Sequence, residues 1–197
     1  MFEVRIHGRG GQGVVTAAEM LSVAGFHEGH WAQAFPSFGS ERMGAPVLAF
    51  VRLADREIRS REPITNPDAL IIQDPTLLHQ VKVFDGLAPD GYVLINSTRS
   101  LEELGIGEYL SKLPPGHARA IPATELALRH VGRPVPNAAL LAAFCAVTGR
   151  LRLESVETAI TQKFKPEVAR RNIAAAREAY GLAGGTGVPG SSHAQAV

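Results

Sequence analysis

Short apolar runs separated by glycine, proline and asparagine fill most of the first two-thirds of the chain. Such runs are typical of buried strands, and they predict strands at residues 2–6, 31–36, 46–53, 69–73, 92–96 and 118–122. Residues 14–24 instead place Val15, Ala18 and Leu21 at helical spacing. Asp74 followed by Pro75 predicts a further helix start. Strands that alternate with helices predict an α/β fold with a mostly parallel sheet.

The last third of the chain has helical patterns only. Residues 137–148, 153–164 and 166–180 predict three helices, and the apolar residues of the last one recur every three to four positions. We therefore expect one domain over residues 1–180, a three-layer α/β/α fold with a helical C-terminal part. Residues 181–197 are rich in glycine and serine and predict a flexible tail.

Charge and hydropathy exclude several classes of protein. With 20 Lys and Arg against 19 Asp and Glu, the formal charge is +1, so no strong positive field is available to attract nucleic acid. The sequence has no apolar run of the roughly 20 residues that a spanning helix needs, and its amino terminus does not resemble a secretory signal. We therefore expect a cytoplasmic protein with no membrane span.

Cys145 is the only cysteine of the sequence, whereas a four-iron cluster needs about four thiolate ligands. The chain alone therefore cannot hold such a cluster. Cys145 lies in a long apolar run, which favours a buried thiol over a nucleophile. The histidines are scattered along the sequence and match no zinc pattern.

A glycine-rich motif lies between the first predicted strand and the first predicted helix. It matches G-x-G-x-x-G and consists of Gly8, Arg9, Gly10, Gly11, Gln12 and Gly13. Backbone amides at such a turn and at the following helix start favour phosphate binding. A dinucleotide site would also need an acidic residue about 20 positions further on, and residues 31–35 contain none. A tight packing turn without a ligand is the alternative.

A second polar segment separates the second and third predicted strands. Its Ser37, Ser40 and Arg42 side chains can donate hydrogen bonds to phosphate or amide groups. An interface loop, in which Phe35 and Phe38 pack against a neighbouring protein, is an equal alternative. The residue types of this segment are compatible with both.

Four segments occur in a fixed order over residues 4–180: HGRGGQGVVTAAEML, QAFPSFGSERMGAPVLAFVRL, GRPVPNAALLAAFCAVTG and FKPEVARRNIAAAREAY. Together they resemble the gamma subunit of the pyruvate, 2-oxoglutarate and related 2-oxoacid:ferredoxin oxidoreductases. The ordered set carries the specificity, because a glycine loop alone is common. Within this family, SFGSERMGAP resembles the branch that includes phenylglyoxylate dehydrogenase.

The resemblance implies a non-catalytic subunit of a complex that oxidatively decarboxylates a 2-oxoacid to an acyl-coenzyme A. In this family thiamine diphosphate attacks the acid, electrons pass through iron–sulfur clusters, and the acyl group goes to coenzyme A. The thiamine diphosphate, Mg and 4Fe-4S clusters would belong to partner chains, namely thiamine-binding alpha and beta subunits and a ferredoxin-like delta subunit. An NAD- or FAD-linked acceptor subunit is a further partner left open. This chain would contribute coenzyme A binding and assembly.

The same resemblance implies which residues bind coenzyme A. Its phosphates would lie along the glycine motif, that is along Gly8, Arg9, Gly10, Gly11, Gln12 and Gly13. Arg42, with Ser40 and Glu41 beside it, would supply counter-charge, although the single-chain enzymes of the family carry lysines where this chain has Glu41 and Arg42. Asn137 and Asn172 stand at positions similar to those that reach the cofactor. Asn137 also fits a helix cap, and Asn172 a hydrogen bond to a neighbouring loop.

Two other functions are compatible with the sequence. A stand-alone oxidoreductase would use the glycine motif for NAD or FAD and would be active when purified alone. A purely architectural subunit would keep the glycine motif without a ligand. The 2-oxoacid itself is left open, since by resemblance the pocket that selects the acid belongs to other subunits.

Overall fold

The computed structural model describes residues 1–37 and 43–184. The strands are β1 (Phe2–Arg9), β2 (Trp31–Pro36), β3 (Pro46–Ala54), β4 (Ala69–Ile72), β5 (Tyr92–Asn96) and β6 (Ala118–Ile121). The helices are α1 (Val14–His27), α2 (Gly107–Leu110), α3 (Ala123–Val131), α4 (Asn137–Thr148), α5 (Leu153–Lys163) and α6 (Pro166–Leu182), together with a 3₁₀ helix, Pro75–His79. Each element predicted from the sequence is present, whereas α2 and α3 are elements that the apolar pattern did not reveal.

All six strands form one sheet in the order β2-β3-β1-β4-β5-β6. The pairs β1·β4, β4·β5 and β5·β6 are parallel, and β3 runs antiparallel to both of its neighbours, β1 and β2. Only β3 therefore runs against the others, which confirms the mostly parallel sheet. Strand β4 illustrates why the prediction worked, because all four of its residues are apolar and buried between two covered faces.

One face of the sheet carries the larger hydrophobic core. Helices α1, α3, α4, α5 and α6 pack there against inward residues of the strands such as Val4, Ile6 and Ile71. Helix α4 lies in the middle of this layer, and the nine residues from 137 to 145 are all buried. Full burial of a side chain such as Leu140 or Phe144 stabilises the fold by about 1.5–3 kcal/mol.

The opposite face carries a thinner layer. Leu70, Ile72, Val93 and Ile95 of β4 and β5 pack against apolar residues of the 3₁₀ helix, of α2 and of the segments beside them, including Leu77. The fold is therefore the expected three-layer α/β/α arrangement, with one thick and one thin helical layer.

Two boundaries differ from the sequence prediction in ways that affect the site. Strand β1 continues through Gly8 and Arg9, because β3 pairs with it along its whole length, up to Arg9 opposite Pro46. The first two residues of the glycine motif are therefore strand and not turn. Helix α6 continues to Leu182, so the first residues assigned to the tail are helical. The rest of that segment, residues 185–197, lies outside the described residues.

The described parts of the chain, residues 1–37 and 43–184, contain no helix that is both long enough and apolar enough to cross a membrane. The same residues contain no cluster of three or more histidine, cysteine or carboxylate side chains that could hold a metal ion.

Candidate functional site

The centre of the sheet is a topological switch point. After β1 the chain proceeds to β2 and β3 on one side of the sheet, and after β4 it proceeds to β5 and β6 on the other side. In sheets of this kind the connections at the carboxyl ends of the two central strands diverge and leave a crevice where ligands bind. Residues 10–13, which we call the glycine loop, follow β1 at this edge, and Gln73 and Asp74 follow β4.

The glycine loop uses some of its amides internally and leaves others unpaired. The Gly10 amide donates to the Ala45 carbonyl over 2.9 Å, and the Gln12 amide donates to the Arg9 carbonyl over 3.0 Å. By contrast, Gly11 and Gly13 have amides without a hydrogen-bond partner among the described residues. The loop therefore contains both anchored amides and amides free to bind a ligand.

The first turn of α1 adds further free amides. Gly13 is the N-cap of this helix and makes no side-chain cap, and the first bond within the helix comes from Ala17 to the Gly13 carbonyl. The amides of Val14, Val15 and Thr16 consequently have no partner within the part of the chain that the structure describes. They lie at the positive end of the helix dipole, where an anion is stabilised.

These amides line an open cleft of about 290 Å³. Its lining residues are Arg9, Gly10, Gly11, Gly13, Val14, Val15, Thr16 and Val47. Among the described residues, this lining contains no carboxylate, and Arg9 is its one charged side chain. The arrangement is chemically suited to a phosphate or another oxyanion.

The Arg9 side chain is bound by the protein itself. Its Nε donates to Asp74 Oδ2 over 3.0 Å, and one terminal nitrogen donates to the Gly44 carbonyl over 3.0 Å. The other terminal nitrogen donates to Thr76 Oγ1 and Gln80 Oε1, over 2.6 and 2.8 Å. Arg9 therefore fastens the end of β1 to the 3₁₀ helix, and a ligand phosphate would have to compete for its donors.

Asp74 is the acceptor at the centre of this attachment. Besides Arg9, it accepts from Gln12 Nε2 over 2.9 Å and from the Thr76 amide over 3.0 Å, which caps the 3₁₀ helix. Burial alone would raise the pKa of Asp74, but the hydrogen bonds from Thr76 and Gln12 and the charge of Arg9 outweigh burial and lower that pKa. Asp74 is thus a stable carboxylate, and the predicted cap at Asp74 is confirmed.

Asn137 reaches the glycine loop from α4. Its Nδ2 donates to the Gly13 carbonyl over 3.0 Å, and its Oδ1 accepts from Gln73 Nε2 over 2.9 Å. Gln73 in turn is held at its carbonyl by Asn96 Nδ2 over 2.8 Å. The alternative role of Asn137 as a helix cap is wrong, because Pro136 occupies the cap position and no side chain caps this helix.

Close packing, and at Gly11 the backbone conformation, explain why glycine is needed at three positions of the motif. A Cβ on Gly8 would lie 2.6 Å from Val14 Cγ2, and one on Gly13 would lie 2.5 Å from Asn137 Nδ2. Gly11 has a φ of 91° and would place a Cβ 2.8 Å from Met43 Cε. The packing role considered for the motif is therefore real, and it coexists with the free amides.

Of the remaining predicted ligand residues, the structure describes only Asn172, and it is not at the cleft. Asn172 is buried in α6 and donates to the Val168 carbonyl of its own helix over 2.9 Å, with no described bond to the glycine loop. Ser40, Glu41 and Arg42, expected to supply counter-charge, lie outside the described residues.

Sequence reasoning missed Thr16 and Gln73. Thr16 lines the cleft at the third position of α1, where a hydroxyl can reach a bound anion. Gln73 is a polar residue that directly follows the apolar strand β4, and it is only 2% exposed. A polar residue at the carboxyl end of a buried parallel strand is a signal that could have identified it.

His7 precedes the motif but turns away from the cleft. It lies on the thinly covered face of the sheet, where its Nε2 accepts from Arg5 Nε over 3.1 Å. Burial, and secondly the charge of Arg5, lower the pKa of His7 to about 3. The ring is therefore neutral at physiological pH and takes a structural role.

The similarity to known proteins covers the same residues as the folded domain. The sequence profile of the pyruvate ferredoxin/flavodoxin oxidoreductase family matches residues 3–182. The chain is 47% identical to the pyruvate/ketoisovalerate oxidoreductases common subunit gamma of Pyrococcus abyssi, over 91% of this chain and 96% of that protein. It is 46% identical, with the same coverage, to pyruvate synthase subunit PorC of Methanocaldococcus jannaschii.

Two solved structures have a similar fold. Pyruvate oxidoreductase subunit PORC of Thermotoga maritima superposes with a TM-score of 0.77 at 37% identity, over 91% of this chain and 95% of that one. A 2-oxoglutarate:ferredoxin oxidoreductase of Magnetococcus marinus, solved with 2-oxoglutarate, coenzyme A and succinyl-CoA, shares the fold alone, with a TM-score of 0.72 at 19% identity over 31% of its chain. The chain belongs to the pyruvate ferredoxin/flavodoxin oxidoreductase family.

Proposed function

We propose that this chain is the gamma subunit of a 2-oxoacid:acceptor oxidoreductase and that it binds the phosphates of coenzyme A at the glycine loop. The observation that carries the proposal is that Gly11, Gly13 and the first turn of α1 have amides with no partner among the described residues, and that these residues line one cleft at the switch point of the sheet. Relatives that are 46–47% identical over nearly their whole length carry the gamma or PorC name, which supports the subunit role.

The cleft fits phosphate groups in charge as well as shape. Its free donors are backbone amides, which need no side-chain ordering to meet an anion. The nearest carboxylate attached to the loop, Asp74, is paired with Arg9 and so does not present an isolated negative charge. Coenzyme A supplies the thiol that accepts the acyl group, and this chain would hold and orient its phosphates.

The residues that line the cleft point to binding and not to proton transfer. Of the lining residues that the structure describes, Arg9 alone is titratable, and an arginine stays protonated at any physiological pH. The family resemblance implies that thiamine diphosphate, Mg and the 4Fe-4S clusters reside in alpha, beta and delta partner subunits, and the single cysteine agrees with this for the clusters.

Exposed aromatic residues support a role in assembly. Phe26 and Trp31 are 71% and 53% exposed, and both line an open cleft of about 350 Å³ beside β2, the edge strand of the sheet. A free edge strand next to exposed aromatics favours pairing with another protein. These features fit a subunit better than a stand-alone enzyme.

A charge placed in the cleft tests coenzyme A binding. Thr16→Glu puts a carboxylate beside the free amides, where the helix dipole tolerates it but where it repels a phosphate. By calorimetry on the assembled complex, we expect coenzyme A affinity to fall roughly tenfold to a hundredfold, the value of about one charged phosphate contact. Arg42→Ala should weaken binding in the same direction if Arg42 supplies counter-charge.

Ser22→Glu is the matched control, since Ser22 is also half-buried on α1 but lies about 9 Å further along the helix. It should leave coenzyme A affinity unchanged. Unchanged affinity in Thr16→Glu, Arg42→Ala and Gly10→Val alike would replace this proposal with the architectural alternative. Flavin retention or dehydrogenase turnover by the purified chain alone would favour the stand-alone oxidoreductase.

A further inference from the structure

Two buried amide side chains, Gln73 and Asn137, form a chain of hydrogen bonds that ends on the glycine loop. They are 2% and 3% exposed and come from the end of β4 and the start of α4. Gln73 Nε2 donates to Asn137 Oδ1, and Asn137 Nδ2 donates to the carbonyl of Gly13. We call this pair the amide relay.

The direction of the amide relay is fixed by its last acceptor. The Gly13 carbonyl can only accept, so Asn137 must present its NH₂ group there and its oxygen to Gln73. Gln73 must then present its own NH₂ group to Asn137. This leaves Gln73 Oε1 buried without a partner among the described residues. Reversing either amide would set two acceptors, or two donors, against each other.

An unpaired buried acceptor is costly, which indicates that the relay serves something other than stability. Leaving such a group unpaired typically costs about 1–3 kcal/mol. Both amides could be replaced by apolar side chains of similar shape at little cost to folding. The feature gained in exchange is a second hydrogen bond on the Gly13 carbonyl, which already accepts from Ala17 over 2.9 Å.

Anchoring that carbonyl also orients an amide of the cleft. The Gly13 carbonyl and the Val14 N–H belong to one planar trans peptide, so they point in opposite directions. With the carbonyl held by Asn137 and Ala17, the Val14 N–H is held towards the cleft that Val14 lines. Asn137 Nδ2 lies 2.5 Å from the position that a Cβ of residue 13 would take, so only glycine leaves room for the hydrogen bond that holds this peptide.

We propose that Gln73 and Asn137 are positioning residues of the anion site, which hold the Gly13–Val14 peptide and so aim its amide at a bound phosphate. The inference rests on the proposed coenzyme A site and deepens it. It assigns Asn137 a role through Gly13 rather than a contact with coenzyme A, and it adds Gln73 to the residues on which binding depends.

The test uses Gln73→Met, Asn137→Leu and the double variant in the assembled complex, because these side chains keep the shape but remove the polar groups. Asn137→Leu should weaken coenzyme A binding roughly five- to tenfold, the value of about one neutral hydrogen bond. Gln73→Met should weaken it in the same direction, and the double variant no further than Asn137→Leu, since both act through one bond. The loss should appear as a higher KM for coenzyme A that saturating coenzyme A overcomes.

A second readout does not require coenzyme A. Hydrogen exchange in peptides covering residues 13–20 should accelerate in both single variants, because the Ala17 amide donates to the same carbonyl. Ser155→Ala, which removes a buried polar group on α5, is the matched control and should alter neither exchange in this segment nor coenzyme A binding.

Three outcomes would overturn the proposal that the amide relay aims this amide at a bound phosphate. If Asn137→Leu weakens binding but Gln73→Met does not, Asn137 contacts the ligand directly. If neither variant changes binding or exchange while Thr16→Glu weakens binding, the coenzyme A site is supported and the positioning role of the amide relay is rejected. If exchange accelerates in both variants but no variant, including Thr16→Glu, affects coenzyme A, the relay orders the peptide and the proposed function fails.

Discussion

Gly13 combines three constraints in one residue. Its φ of 73° is in the left-handed region, its Cβ position is occupied by Asn137, and its carbonyl accepts from both Asn137 and Ala17. Gly8 is likewise required by packing against Val14, and Gly11 by its φ of 91°. At the residue scale, therefore, the glycines of the motif do not by themselves indicate a ligand. The proposed ligand site rests instead on the neighbouring amides that have no partner among the described residues.

Gly13→Ala should be strongly destabilising. The left-handed conformation costs a non-glycine residue about 1–2 kcal/mol, and displacing Asn137 leaves buried polar groups unpaired at about 1–3 kcal/mol. Gly149→Ala is the matched control, because Gly149 has a φ of 60° but nothing within 4 Å of its Cβ position. Urea unfolding of both variants should give the larger loss for Gly13→Ala. Equal losses would show that the Asn137 side chain moves aside at no cost in the free energy of unfolding.

At the scale of elements, the site depends on how three neighbouring segments are fastened together. Arg9 at the end of β1, Gln12 in the glycine loop and Asp74 at the cap of the 3₁₀ helix form one hydrogen-bonded group. The group joins the carboxyl ends of β1 and β4, which pair in the sheet only as far as His7 opposite Ile72. Side chains thus continue the connection beyond the end of the ladder.

Asp74→Asn should weaken this connection in a pH-dependent way. Asparagine keeps one acceptor oxygen for the cap of the 3₁₀ helix, so the variant removes the charge and the acceptor that face Arg9 and Gln12. Because the pKa of Asp74 is lowered in the folded chain, the carboxylate stabilises the fold fully above its ordinary pKa of 3.8, and this stabilisation is lost as the pH falls below that value.

The difference in unfolding free energy between the native chain and Asp74→Asn should therefore be constant between pH 7 and about pH 5, and should shrink towards pH 3. Urea titrations at these three pH values measure it. A difference that grew as the pH fell would contradict the assigned pKa direction.

At the scale of the whole molecule, the thick helical layer isolates the only thiol. Cys145 is 2% exposed in α4, and burial, followed by the charges of Glu28 and Glu154, raises the pKa of its thiol above the usual range. The expectation of a buried thiol is confirmed.

Cys145 should react with an aromatic disulfide reagent only when the chain unfolds. Folded protein at pH 8 should react at least roughly a thousandfold more slowly than urea-unfolded protein, since reaction then requires global opening. The urea-unfolded chain serves as the control for intrinsic reactivity. Rapid modification of the folded chain would indicate that α4 opens locally and that the core is looser than its packing suggests.

The family of the chain is a property of the whole molecule, since the matches cover nearly all of it. The family profile, the relatives and the Thermotoga maritima structure agree with the resemblance inferred from four ordered segments. The relatives described above are named for pyruvate and ketoisovalerate, and the resemblance of SFGSERMGAP to the phenylglyoxylate branch stays a prediction.

The sequence by itself determined where most strands and helices lie, because apolar periodicity records which faces of a segment are buried. It also located the glycine motif and excluded a cluster on a chain with one cysteine. It did not reveal α3, a nine-residue helix with only three buried positions, or the extension of β1 through Gly8 and Arg9.

Only the tertiary structure decided how the site is built. Asn137 lies 124 positions from Gly13, and Gln73 lies 64 positions from Asn137, so no local pattern records that they meet. The antiparallel pairing of β3 sets the end of β1, and the parallel pairing of β4 brings Gln73 and Asp74 to the same edge. Local apolar spacing fixes which segments are buried, whereas strand order and side-chain geometry fix which polar groups face one another.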